Sequence, residues 1–140
     1  MPHPSLVVYN NESDYRSHYE RVYCKGPIVT FDRIPVRFFK RDFDHAFFET
    51  VVNKDDTFSN LRAQRVDWIK EALVDPNSDR YVGWDGKNKR YDNNRRVTLV
   101  ETDYVVIFAI LKNGSGRFIT AYVANSGRTL QMIKQGPKWP

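Results

Sequence analysis

One histidine, two arginines three residues apart and two strand hydroxyls are the side chains of this 140-residue chain that could act together on a substrate. His45 sits in a predicted amphipathic helix, and an imidazole, with an ordinary pKa of about 6.5, exchanges protons near neutral pH. Arg62 and Arg65 fall on one face of the next predicted helix, where two planar, multi-donor guanidinium groups can meet a single phosphate. In Arg117-Phe118-Ile119-Thr120-Ala121-Tyr122-Val123, strand alternation groups Phe118, Thr120 and Tyr122 on one face and Ile119, Ala121 and Val123 on the other. The second trio reads as core, so the first presents two hydroxyl groups to whatever lies outside. Cleaving RNA without metal needs these parts: a base for the 2′-hydroxyl proton, cations or donors for the crowded phosphorane, and an acid for the leaving 5′-oxygen. Each residue also has a plain use. The histidine can hold one hydrogen bond on a helix face, the arginines can pair with Glu49, Asp67 or Glu71, and Thr120 and Tyr122 can simply pack in a sheet. His3, near the terminus, and His18, on a helix face without chemistry around it, receive no role.

Charge points to the same kind of partner. Residues 1–75 hold 11 Lys and Arg against 12 Asp and Glu, a net −1, whereas residues 76–140 hold 11 against 5, a net +6. A polyanion such as RNA would find positive potential over the C-terminal part, with Arg95, Arg96, Arg117, Lys138 and Trp139 as candidate contacts. Tyr81, Trp84, Tyr91 and Trp139 could stack bases if they lie exposed beside these cations and Arg90, although aromatic residues more often fill cores and a basic surface also serves solubility. An apolar share of 41% with 28% charged residues excludes a largely disordered chain. No apolar run approaches the roughly 18 residues of a membrane span and no signal-peptide pattern opens the chain, so a soluble protein acting in the cytoplasm, without a membrane partner, is expected. The single Cys24 provides no internal disulfide and, with three scattered histidines, no recognisable zinc site. No metal or other cofactor is implied.

The elements that must position these groups read as helices first and strands later, in one α+β domain. Tyr15, Tyr19 and Val22 recur at helical spacing over Asn11–Tyr23, stopped by Cys24-Lys25-Gly26-Pro27. Short strands are predicted over 28–31 and 36–39, separated by Pro35. Asp42 or Asp44 can cap a helix carrying Phe43, Phe47, Phe48, Val51 and Val52, and Ser59 a longer one with Leu61, Ile69, Ala72 and Leu73 buried, ended by Asp75-Pro76. From Arg80 the pattern changes to four strands, 80–84, 95–101, 104–111 and 117–123, joined by Asp- and Gly-rich turns as an antiparallel meander. The unbroken apolar run from Tyr104 to Leu111 predicts a central strand covered on both faces, and 128–135 a closing helical turn.

The succession Phe43-Asp44-His45-Ala46-Phe47-Phe48-Glu49, Leu61-Arg62-Ala63-Gln64-Arg65-Val66-Asp67-Trp68-Ile69, Tyr104-Val105-Val106-Ile107, Phe118-Ile119-Thr120-Ala121-Tyr122 and the closing Pro137-Lys138-Trp139 resembles the phage-associated branch of the BECR nucleases, the group of barnase, EndoU, colicin and RelE. The resemblance covers about residues 36–140, leaving 1–35 as an N-terminal extension with one helix. It implies a metal-independent, toxin-like endoribonuclease on a helix-plus-four-strand scaffold, leaving a 2′,3′-cyclic phosphate, with tRNA among the possible targets. It also implies an immunity or antitoxin protein as partner and delivery as part of a larger toxin. His45 would then be acid or base, Arg62 and Arg65 phosphate ligands, and Thr120 and Tyr122 neighbours of the scissile phosphate. A second proton-transfer group does not stand out, Glu101 and Tyr122 being the candidates. Two other classes fit the same residues: an RNA-binding module without catalysis, and a protein-interaction module of the antitoxin or antidefence kind using the arginines and aromatics as anchors.

Overall fold

Asn11 opens the first helix, α1 (Glu12–Tyr23): its backbone is extended, and its side chain accepts a hydrogen bond from the Asp14 N–H at 3.0 Å. The computed structural model describes residues 4–85, 88–101, 103–124 and 127–139, with the backbone alone for 85, 93–99 and 101. Tyr15, Tyr19 and Tyr23 repeat every four residues and form the buried stripe of α1. Each phenol reaches a backbone carbonyl, of Val7, Phe39 and Val66 respectively, as a buried hydroxyl must. The tyrosines belong to the same core as the strands below, so α1 is built into that core.

Two predicted helices are cut short by tertiary partners. The stretch beginning at Phe43 forms only one turn, α2 (Phe43–Ala46), after a 3-10 turn over Lys40–Asp42. So short a helix has no stability of its own. Burial of Phe43 and Phe47, about 1.5–3 kcal/mol each, holds it in place. The chain then forms β3 (Phe48–Glu49), which pairs with β4 (Thr57–Phe58). The Asp56 carboxylate accepts the N–H groups of Val51, Val52 and Asn53 at 3.0, 2.9 and 2.8 Å, giving that backbone partners a helix would have supplied. Val51 and Val52, expected on a buried stripe, are therefore exposed. Ser59 caps the next helix as predicted, accepting from the Arg62 N–H at 3.2 Å, yet α3 (Asn60–Ala63) ends after one turn and α4 (Val66–Val74) begins afresh. At the break the Gln64 carbonyl takes the Val7 N–H at 2.8 Å and the Tyr104 hydroxyl stands 3.5 Å from the Arg65 carbonyl. Ile69, Ala72 and Leu73 are buried as expected, but Leu61 is exposed. Arg62 and Arg65 thus lie on either side of a break, not on one continuous helix.

The strands β5 (Asp79–Asp85), β6 (Arg90–Glu101), β7 (Tyr104–Ile110) and β8 (Gly116–Val123) form the antiparallel meander that the turn residues predict. The sheet has six strands, however, because β1 (Ile28–Val29) and β2 (Pro35–Arg37) form a hairpin whose second strand joins β8 in parallel, giving the order β1-β2-β8-β7-β6-β5. Pro35 does not merely interrupt: as the first residue of a strand it loses no ladder bond and opens β2 opposite Val29. Val36 can lie opposite Gly116 because a Cβ there would stand 2.9 Å from the Phe108 ring and 3.0 Å from Val36. The chain end runs beside β5, Val82 donating to the Pro137 carbonyl and Trp139 to that of Arg80, which covers the sheet's outer edge.

A bulge decides which side chains of β8 face which layer. Phe108 pairs with Phe118 and Ile107 with Thr120, so Ile119 is the extra residue and alternation shifts by one. Phe118 and Ala121, with Val123 beside them, enter the core shared with α1, α2 and α4, together with Tyr104, Val106 and Phe108. Tyr122 packs on the other face with Val105 and Ile107, under α5 (Gly127–Lys134), an eight-residue helix where one turn was expected. The predicted grouping of Phe118 with Thr120 and Tyr122 is thereby broken. The central position of β7 follows from its composition: both of its faces are covered. Among the described residues no helix is long and apolar enough to cross a membrane.

Candidate functional site

The break between α3 and α4 creates a polar recess. A cavity of about 120 Å³, room for several water molecules and hence for a phosphate group, is lined by Glu49, Leu61, Arg62, Arg65, Tyr104, Tyr122 and Val123. Arg62 spans it from below: its Nη1 donates to the carbonyls of Phe48 at 3.1 Å and Ala46 at 3.4 Å, and its Nε stands 4.0 Å from the Glu49 carboxylate. The guanidinium is held by the carbonyls of the α2–β3 turn, so its position is set before any ligand arrives. Arg65 donates through Nη1 to the Leu61 carbonyl at 2.6 Å, and its guanidinium carbon lies 5.0 Å from the Trp68 ring centre. Its Nε is buried and has no hydrogen-bond partner among the described residues. A buried donor left in this state marks a place where an acceptor would be favoured.

Both phenols of the recess remain neutral donors at neutral pH. Burial raises the Tyr122 pKa, against the opposing charge of Arg62. Burial, reinforced by Tyr23, holds that of Tyr104 well above the ordinary value despite Arg65 and Arg62. Two cations, the Tyr122 phenol and one carboxylate around a small recess make a set suited to a group that carries negative charge and a transferable proton, while the buried Tyr104 hydroxyl is directed at the Arg65 carbonyl.

His45 stands beside this recess in sequence but not in its wall. Its Nδ1 lies 2.9 Å from Asp55 Oδ2, and Nε2 has no partner among the described residues. Asp55 is held at φ 53°, a left-handed conformation that Asp tolerates, with its N–H donated to Thr50 Oγ1 at 3.0 Å. The loop between β3 and β4 therefore carries a carboxylate that orients the imidazole. The link to the recess runs through Arg62, which holds the carbonyl of Ala46, the residue after His45.

Of the predicted site residues, Arg62, Arg65 and Tyr122 line one cavity; His45 and Thr120 do not. Thr120 sits half-buried opposite Ile107. Arg117 is engaged elsewhere, over the Phe39 ring at 5.1 Å and 3.7 Å from Asp42. Lys138 bridges to Tyr81 along the edge of β5, and Trp139 is half-buried against the main core. The side chains of Arg95, Arg96 and Glu101 lie outside the described residues, as does His3. Among the aromatics considered for stacking, Tyr81 is buried, whereas Trp84 and Tyr91 are exposed.

Glu49 and Tyr104 complete the recess and were read otherwise from sequence, as a salt-bridge partner and as core. Nothing local marked either residue as part of a site. His18, expected to lack chemical neighbours, has three: its ring nitrogens lie 2.8 Å from the Tyr9 hydroxyl, 2.7 Å from Asp67 and 3.4 Å from Arg21 Nη2, tying the N-terminal segment to α4. Among the described residues no group of three or more His, Cys, Asp or Glu could hold a metal ion. No protein-family model, curated protein or solved structure matches the chain.

Proposed function

From these premises we propose that the Glu49–Arg62–Arg65 recess is the phosphodiester site of an endoribonuclease that works without a metal ion. The observation that carries the reading is the meeting of one carboxylate, two anchored guanidinium groups and the Tyr122 hydroxyl in a single phosphate-sized cavity. Glu49 takes the 2′-hydroxyl proton, the 2′-oxygen attacks phosphorus, and charge gathering on the non-bridging oxygens meets Arg62, the Arg65 Nε and Tyr122. As the bond to the 5′-oxygen breaks, His45, oriented by Asp55, protonates it. The products are a 2′,3′-cyclic phosphate and a 5′-hydroxyl. Glu49 thus fills the place of the second proton-transfer group that the sequence left between Glu101 and Tyr122.

The test is incubation of the purified protein with RNA in the presence of a chelator, with end-group analysis. Cyclic phosphate ends that disappear in Glu49→Gln support the reading, and RNA left intact by the wild-type protein overturns it. One observation favours binding without cleavage: guanidinium nitrogens of Arg62 and Arg65 are already hydrogen-bonded to backbone carbonyls, and His45 is not in the cavity wall. That reading predicts salt-sensitive affinity for RNA that remains uncut.

A further inference from the structure

On the opposite face of the sheet a second, larger cavity, about 390 Å³, opens between the strands and α5. This lies within the range of about 300–1,000 Å³ usual for small-molecule sites. Its wall contains three aromatic rings, Trp84, Tyr91 and Tyr122, with Ile107, Met132 and Ile133 completing an apolar lining. The hydroxyl-bearing Thr129 also lines it. Trp84 and Tyr91 face each other edge-on, with centroids 5.1 Å apart at 78°. Both are substantially exposed, 52% and 39%, so they are available to a ligand. The wall is built to a close tolerance: a Cβ on Gly136 would come within 2.8 Å of the Tyr91 ring, so the chain after α5 packs directly against that ring.

The cavity is apolar, but the helix that walls one side of it is cationic. α5, which walls the cavity through Thr129, Met132 and Ile133, carries exposed Arg128 and Lys134 and no carboxylate, whereas Arg90, one residue from Tyr91 on β6, belongs to the other face of the strand opposite Asp85. A ligand matching both features has a flat, largely apolar body and an anionic tail. We infer that this cavity is a nucleobase-binding site, taking a purine or pyrimidine ring beside Trp84 and Tyr91 while its phosphate lies toward the cations of α5. Stacking of this kind tolerates any base, because every base has a π-face. The site does not depend on cleavage in the Glu49 recess, and of the residues lining that recess it shares only Tyr122.

The experiment uses short 2′-O-methyl oligonucleotides, which cannot undergo 2′-hydroxyl attack, so that loss of base binding and loss of cleavage are read separately. Filter binding compares a base-bearing strand with an abasic strand of equal length and charge. The expected result is tighter binding of the base-bearing strand by about tenfold or more, with the preference removed by Trp84→Ala. Because Trp84 is half exposed, that variant keeps its core, and an unchanged melting temperature verifies this. Competition by AMP or UMP assigns the site to free nucleotides, and competition by strands alone assigns it to nucleic acid; either supports a base site. Equal affinity for base-bearing and abasic strands, or a preference that survives both Trp84→Ala and Tyr91→Ala, overturns it.

Discussion

The two cavities that meet at Tyr122 differ in what holds them. On the helix side the recess is small, and its cations are fixed by backbone carbonyls at the end of α2 and α3. On the α5 side the cavity is about three times as large, 390 Å³ against 120 Å³, and is walled by exposed rings and aliphatic side chains. Donors that are fixed in advance stabilise charge that develops during a reaction, because they need not reorganise. A roomy aromatic wall stabilises a ring that is already flat and changes little on binding. One face of the sheet is suited to reaction and the other to holding, and a single strand residue borders both.

The largest effect that would break this division is on the reaction side. Glu49→Gln removes the proposed proton acceptor while keeping its shape, and cleavage should fall by about 10²–10⁴-fold with little change in melting temperature, since Glu49 is exposed. His45→Ala should produce a loss of comparable order if its imidazole protonates the leaving oxygen. A near-normal rate in His45→Ala would remove this residue from the mechanism while leaving the recess in place. Binding of base-bearing strands should be unaffected in both variants. Arg62→Lys comes next: it keeps the charge but loses the planar fork that holds the Phe48 and Ala46 carbonyls. Rate should drop by about 10²–10³-fold, and stability by about 1–3 kcal/mol, because carbonyls lose their partner. Thermal denaturation and single-turnover kinetics report the two separately.

The reaction side was also the harder of the two to read from sequence. The meander from β5 to β8 and the helix α1 rest on local signals: turn residues, apolar runs and a four-residue tyrosine repeat. These elements stand close to where those signals put them, except that β6 begins at Arg90, before the predicted Arg95, so that Asp92-Asn93-Asn94, read as a turn, lies within the strand. The recess depends on partners far away in the chain. Val7 and Tyr104 take the carbonyls at which α3 breaks from α4, and Asp56 turns the predicted helix beyond Phe47 into a hairpin loop. No periodicity encodes either event. The bulge at Ile119 moved Phe118 into the core and left Tyr122 on the opposite face, a shift of one residue that alternation cannot anticipate. Arg62, Arg65 and Tyr122 could be singled out because their chemistry is conspicuous. Glu49 could not, because β3 is two residues long and its carboxylate looks like any surface partner for an arginine.

On the holding side, Gly136→Ala sharpens the comparison with a smaller effect. The added methyl must displace the Tyr91 ring, which it would otherwise approach at 2.8 Å. Overpacking of this kind costs about 1–3 kcal/mol. The preference for base-bearing over abasic strands should shrink several-fold while cleavage continues at the wild-type rate. A cleavage defect in this variant would mean that the two cavities are mechanically coupled through Tyr122.

The smallest effect concerns the loop that carries Asp55 beside the recess. The Asp56 carboxyl is held well below the ordinary carboxylate range, first by the N–H of Asn53 and then by those of Val51 and Val52. Because its folded-state pKa lies below the unfolded value of about 3.9, its contribution is complete above that value and vanishes as pH falls through the folded one. The loop should therefore keep its amide-exchange protection at Val51, Val52 and Asn53 from neutral into mildly acidic solution and lose it only in strong acid. In Asp56→Asn, protection should already be lower at neutral pH. Protection that instead fades between neutral and mildly acidic pH in the wild-type protein would assign the loop's order to a different titrating group.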